Sequence, residues 1–273
     1  MLALVIDVPE AEVELASDAL WALGVVAVEE RVGVAGRVEL WTSLGDDRAM
    51  VLDAVAVFSE RWTARLVEVD ETVAETWRAH ATPMWIADDV VICPAWVDDL
   101  FVDGVTVVRI EPGSTFGLGD HPTTVLSTQA LRRVIVPGAS ETVLDVGCGS
   151  GVLAIAAILF GAGRADAIDI SPAAEAITND NASRNGVADR VTAATTPLHD
   201  VAGPYDVVVA NILAPTLVEL STDLTRVLAP HGVLIISGIL ADRYDHVLRS
   251  LEPLRVEKVD QLDSWAAVTL RRR

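Results

Sequence analysis

Over the first seventy residues, stretches that alternate apolar and polar positions bracket stretches with helical spacing. Leu2–Val8 reads as a strand closed by Pro9, and Glu10–Leu23 as a helix with Val13, Leu15, Ala16, Ala19, Leu20 and Leu23 near one face, stopped by Gly24. Val25–Val32 and Arg37–Thr42 alternate as strands, with Gly33 and Gly36 marking the turn between them. Asp46–Phe58 returns to the helical period, and Arg61–Val69 alternates again. The order β-α-β-β-α-β predicts a ferredoxin-like α+β domain over residues 1–69. It holds no catalytic constellation and reads as a recognition or packing module.

Residues 70–110 read as a linker. Glu71–His80 is a short polar helix carrying Trp77, broken by Pro83, and Val90–Cys93 and Gly104–Ile110 are strands. Trp85 and Trp96 are expected to pack this connector, with stacking on an adenine as the alternative. A large α/β domain is predicted from residue 111 to 273. A helix runs from about 123 to 134, and strands fall at 142–146, 165–170, 190–194, 205–210, 232–237, 254–260 and 264–270. Helices lie between most of them, at 151–161, 173–185, 214–228 and 241–250. Five strands alternate with helices and read as parallel, and the last two are close enough to form a hairpin.

Composition narrows the class. The 273 residues allow two modest domains, and a 51% hydrophobic content excludes disorder. The longest apolar run, Val152–Gly163, is too short to span a bilayer, and the N-terminus lacks the basic region and cleavage site of a signal peptide. Two distant cysteines, Cys93 and Cys148, make neither a disulfide framework nor a metal site, so a cytoplasmic protein is expected. The net charge of −20 disfavours contact with nucleic acid and would draw in a basic protein partner. Neither a membrane partner nor oligomerisation is indicated, and a monomer is expected.

The chemistry concentrates in the second half. Residues 145–151 read Asp-Val-Gly-Cys-Gly-Ser-Gly between an apolar strand and a helix, and Asp169 follows eighteen positions after the last glycine. Strand, glycine turn, helix, second strand and acid make the crevice of a nucleoside-binding doubly wound sheet. The glycines let backbone approach a ligand that a Cβ would block, and Asp169 can accept both ribose hydroxyls. A dinucleotide fingerprint would need glycine at 152, where Val152 stands. Gly-x-Gly-x-Gly with an acid two residues before it instead resembles the S-adenosylmethionine-dependent methyltransferases. An empty turn would need neither Asp145 nor Asp169.

Three further motifs carry alternatives. Phe116-Gly-Leu-Gly-Asp-His-Pro-Thr-Thr124 suits a loop covering a cofactor, with Thr124 a hydroxyl donor; the plainer reading is helix capping by Asp120 or Thr123. His121 is either a base or a loop anchor. Asp169-Ile-Ser-Pro172 leads to Asn181 and Asn185, which share a helix face; Ile170 would lie against adenine, and the asparagines are read as helix-end hydrogen bonders. Val207-Val-Val-Ala-Asn-Ile-Leu-Ala214 places Asn211 at the carboxyl end of the fourth strand, on the crevice side, where it can accept hydrogen bonds from a substrate amine. Its alternative role is a helix N-cap.

Together these motifs resemble the bacterial family that methylates large-subunit ribosomal protein 11, the stalk-base protein. The family pattern of F-G-x-G-x-H-P-T-T, G-C-G-S-G, D-I-x-P and N-I-L-A occurs here in order, and Ile92–Trp96 also fits. The resemblance implies a class I methyltransferase with a seven-stranded Rossmann-like sheet behind the ferredoxin-like domain. It implies S-adenosyl-L-methionine as cofactor and methylation of lysine side chains and the N-terminal amino group of that basic protein. Cofactor contacts would fall on Thr124, Gly147, Gly149, Asp169 and Asn211, with Asn211 also catalytic and the N-terminal domain recognising substrate. Leu118 and Asp120 depart from the family's loop. The rival expectations are a methyltransferase for another protein or a small amine, and a non-catalytic nucleoside-binding module.

Overall fold

A computed structural model of the chain describes residues 2–21, 25, 28–34, 36–42, 48–68, 81–98, 101–112 and 121–272. The expected helix over 71–80, the stop at Gly24 and the whole Phe116–Asp120 segment lie outside these. The chain divides into two compact units, Met1–Ala81 and Thr82–Arg273.

The first unit follows the order read from its alternation: β1 (Leu2–Pro9), α1 (Val13–Trp21), β2 (Glu29–Val32), β3 (Arg37–Thr42), α2 (Arg48–Ser59) and β4 (Thr63–Glu68). Its antiparallel sheet runs β2-β3-β1-β4. One face buries Leu4, Ile6, Val8 and Leu40 against Ala16, Leu20, Val51 and Phe58 of the helices. Side chains of opposite parity carry a polar cluster in which Arg31 lies over Trp41, 4.0 Å from the ring centroid. Glu39 there accepts from Trp41 Nε1 at 2.9 Å and from Arg65 at 2.7 Å. Those two bonds, led by the one from Arg65, hold the Glu39 carboxyl below its ordinary pKa.

The second unit begins with a three-stranded sheet, β5 (Met84–Ala87), β6 (Val90–Pro94) and β7 (Thr106–Ile110). The strands of the expected linker therefore belong to the second unit, where Ile86, Ile92, Val108 and Ile110 join its core. Strand β5 was not apparent from the sequence, because four residues between Pro83 and the Asp88-Asp89 turn are too few to show a period. Trp85 packs edge-on against Phe101 at 5.9 Å.

There follow α3 (Pro122–Val134), β8 (Thr142–Val146), α4 (Val152–Leu159), β9 (Arg164–Ile168), α5 (Pro172–Arg184), β10 (Val191–Ala194) and β11 (Tyr205–Asn211). The chain ends with α6 (Ala214–Glu219), α7 (Ser221–Arg226), β12 (Leu228–Leu240), α8 (Asp245–Ser250), β13 (Arg255–Leu262) and β14 (Trp265–Arg271). The helix expected over 214–228 is two helices meeting at Leu220, where ψ is 0°. The helix expected from 241 starts at Asp245, because Ala241 N–H instead bonds Ser264 carbonyl at 2.8 Å.

The sheet order is β10-β9-β8-β11-β12-β14-β13. The first five strands are parallel and β14 is antiparallel to both neighbours, as the alternation and closing hairpin predicted. Apolar side chains bury both faces: Val143, Val209 and Ile235 pack with Leu131, Ile155 and Ile158 on one side, and Leu144, Val208 and Leu234 with Leu217, Leu224 and Val247 on the other. The strand order reverses between β8 and β11, so the crevice for a ligand opens at the carboxyl ends of these two strands. Among the described residues no helix is long and apolar enough to cross a membrane.

Candidate active site

The turn after β8 is built from left-handed backbone. Gly147, Gly149 and Gly151 have φ of 74°, 53° and 78°, a region costly to residues with a Cβ. The turn is tied to the next strand by the N–H groups of Gly147 and Cys148, which donate to Ile168 carbonyl at 2.8 and 3.1 Å. A Cβ on Gly147 would stand 2.4 Å from Ile212 Cγ2, so the glycine also lets the turn meet the end of β11. Thr124, Gly147, Gly149 and Asn211 line one cleft with Cys148, Val152 and Leu153.

Asp169, one residue beyond β9, reaches the same turn. Its Oδ2 accepts Gly149 N–H at 3.0 Å and its Oδ1 accepts Ser171 N–H at 2.9 Å. Each oxygen keeps a lone pair for a diol. Ile170 beside it is 94% exposed, an aliphatic side chain standing where a flat ring could cover it. Beneath the turn, Asp145 is buried; Ala154 N–H donates to Oδ2 at 3.1 Å, and Oδ1 has no hydrogen-bond partner among the described residues. Burial pushes its carboxyl up to about 7, and the Asp169 charge adds to the rise. Burial, then the Asp145 charge, likewise raises the Cys148 thiol, so this cysteine is no nucleophile.

Two capping readings are corrected. Helix α3 has His121 rather than Thr123 at its N-cap, and Asp120 lies outside the described residues: Thr123 N–H donates to His121 Nδ1 at 3.3 Å, and Thr123 Oγ1 lies 2.7 Å from the same nitrogen. The ring also meets Trp265 edge-on at 5.0 Å. The N-cap of α6 is Leu213, so capping does not account for Asn211. Thr124 Oγ1, almost fully buried in the first turn of α3, finds no hydrogen-bond partner among the described residues. An unpaired buried hydroxyl costs roughly 1–3 kcal/mol, which a polar ligand in the cleft would recover.

The cleft therefore fits a nucleoside cofactor: glycines where Cβ atoms would intrude, an orphaned hydroxyl, a carboxylate at the strand end and an exposed aliphatic residue beside it. Fold and cleft together define a class I S-adenosylmethionine-dependent methyltransferase. The comparisons with known proteins narrow this further. The family described as ribosomal protein L11 methyltransferase matches residues 2–273. A ribosomal protein L11 methyltransferase of Citrifermentans bemidjiense is 43% identical over 208 residues, 74% of this chain and 68% of that protein. One from Symbiobacterium thermophilum is 35% identical over 265 residues, 96% of this chain and 83% of the relative. The crystal structure of a ribosomal protein L11 methylase from Lactobacillus delbrueckii subsp. bulgaricus superposes with a TM-score of 0.66 at 32% identity, covering 71% of this chain and all of that one. The chain belongs to the ribosomal protein L11 methyltransferase family.

Proposed function

We propose that this enzyme methylates lysine side chains and the N-terminal amino group of ribosomal protein L11 in the cytoplasm. The observation that carries this reading is the meeting of Asn211 with Thr124 and the glycine turn in one cleft of a chain that matches its family from end to end. In this reading Thr124, Gly147, Gly149 and Asp169 hold the cofactor. Bound S-adenosylmethionine supplies a methyl carbon already activated by its sulfonium. The protein's task is then to orient the amine and exclude water.

Asn211 carries the orientation: its side-chain oxygen accepts from the amine and aims the nitrogen lone pair. A lysine of ordinary pKa near 10.4 must first be neutralised, at a cost of roughly 4–5 kcal/mol at pH 7. His121 is unsuited to take that proton. Its Nδ1 is already engaged at the cap of α3, where it accepts Thr123 N–H. The proton leaves to water. The first unit serves as the recognition module, and the acidic surface suits a basic protein.

The test is incubation with labelled S-adenosylmethionine and purified L11, followed by mass spectrometry of the labelled sites. Label on lysines and the N-terminus is expected. Transfer to a small amine with none to L11 would overturn the substrate assignment.

A further inference from the structure

Strand β7 pairs with β6 along one edge and runs beside helix α5 along the other. On that second side two asparagines stand in for a neighbouring strand. Asn185 Oδ1 accepts Arg109 N–H at 2.8 Å, and Asn185 Nδ2 donates to Arg109 carbonyl at 2.7 Å. Asn181 repeats the pattern on Glu111, at 2.9 and 2.8 Å. The register matches because four helical residues rise about 6 Å and two strand residues about 6.6 Å. These asparagines therefore do more than bond within the helix end, the role read from their sequence.

The two differ in their remaining contact. Asn185 Nδ2 turns back to Asn181 carbonyl at 2.8 Å, within its own helix. Asn181 Nδ2 instead donates to Ser150 carbonyl, in the glycine turn, at 2.9 Å, and Arg184 Nη1 donates to Asn181 Oδ1 at 2.9 Å. Both donors and both acceptor positions of the Asn181 amide are thus used, and the side chain is fully buried. Thr178, one turn earlier on the same face, donates to Gly149 carbonyl at 3.2 Å. Helix α5 therefore holds two successive carbonyls of the turn.

We propose that Asn181 is a positioning residue for the cofactor. It couples the end of β7, which leads in sequence into Pro112 and the F-G-L-G-D-H-P segment, to the turn that lines the cleft. Three glycines at positive φ give that turn a backbone freedom that residues with a Cβ lack. The Asn181 and Thr178 bonds keep it in the conformation that presents Gly149 N–H to Asp169 and leaves the cleft open. The inference rests on the reading that the glycine turn holds S-adenosylmethionine.

The test uses the full chain and two measurements on each variant: the Kd for S-adenosylhomocysteine by calorimetry, and the ligand-free Tm. Asn181→Ala and Asn185→Ala each release a two-bond clamp on β7, so both should lower Tm. Asn181→Ala should also weaken ligand binding at least tenfold, and Asn185→Ala by less than twofold. Equal weakening by both, or unchanged affinity in Asn181→Ala, would overturn the proposal. If Asn181→Ala does not fold, Thr178→Val removes the companion tether with little change of shape. A several-fold loss of affinity is expected, and none would overturn the proposal. Asp169→Ala separates the two layers. If it leaves affinity intact, the cleft assignment itself fails; if it weakens binding while Asn181→Ala does not, only the present inference fails.

Discussion

Asp145→Asn should remove most of one pH dependence of folding. The Asp145 carboxyl has an ordinary value of 3.8 and is pushed up to about 7 in the folded protein by burial and then by the Asp169 charge. The difference of roughly three units, at about 1.4 kcal/mol each, means the folded state carries a penalty of about 4 kcal/mol once the carboxylate is ionised. Between pH 4 and 7 the folded protein keeps a proton the unfolded chain has released. This group therefore lowers stability as pH rises through that window, and its effect is flat below and above it. Asparagine preserves an acceptor for Ala154 N–H and does not ionise. Its amide adds a buried donor pair, a cost of roughly 1–3 kcal/mol that is the same at every pH. The diagnostic is consequently the slope. Urea unfolding followed by tryptophan fluorescence should show wild type losing about 3 kcal/mol more than the variant between pH 5 and pH 8. Parallel stability curves would refute the reasoning, because they would mean that Asp145 ionises in the folded state as readily as in the unfolded chain.

Gly147→Ala should lower stability by more than the 1–2 kcal/mol typical of a left-handed residue, because its Cβ also meets Ile212 Cγ2 at 2.4 Å. Adding Ile212→Ala should restore part of that loss in denaturant unfolding, and no recovery would remove the crowding argument. Asn211→Ala should reduce kcat on L11 by about 100-fold while S-adenosylhomocysteine affinity changes only a few-fold, the signature of a group that aims the acceptor; equal losses would make it a cofactor ligand alone. Asp169→Ala should weaken S-adenosylhomocysteine roughly 10- to 100-fold in calorimetry, the worth of a charge-assisted hydrogen bond or two. Residues 82–273 expressed alone should bind S-adenosylhomocysteine and fail to methylate L11; full activity on L11 would refute a recognition role for the first unit.

The alternation of Leu2–Val8, the period of Val152–Leu159 and the glycines at 147, 149 and 151 are local signals, and local signals survive in a bare sequence. A strand buried on both faces reads as an apolar run, as Val207–Ala210 does, and a left-handed turn favours glycine. From such signals alone the α+β order of the first unit, a seven-stranded sheet with a closing hairpin and the turn at its crevice are legible; the bounds of the two units are not. Tertiary structure decided the rest, because it depends on partners far along the chain. Asn181 and Asn185 read as helix-end residues until Glu111 and Arg109, 70 and 76 positions upstream of them, come to lie beside them. His121 takes the cap of α3 because its Nδ1 reaches Thr123 N–H while the ring rests on Trp265, from the last strand. Asn211 is freed from capping because α6 begins at Ala214, with Leu213 at its N-cap. Hydrogen-bond donors and acceptors are indifferent to sequence separation. Which of several competent partners a side chain takes is settled only when packing brings one of them within about 3 Å.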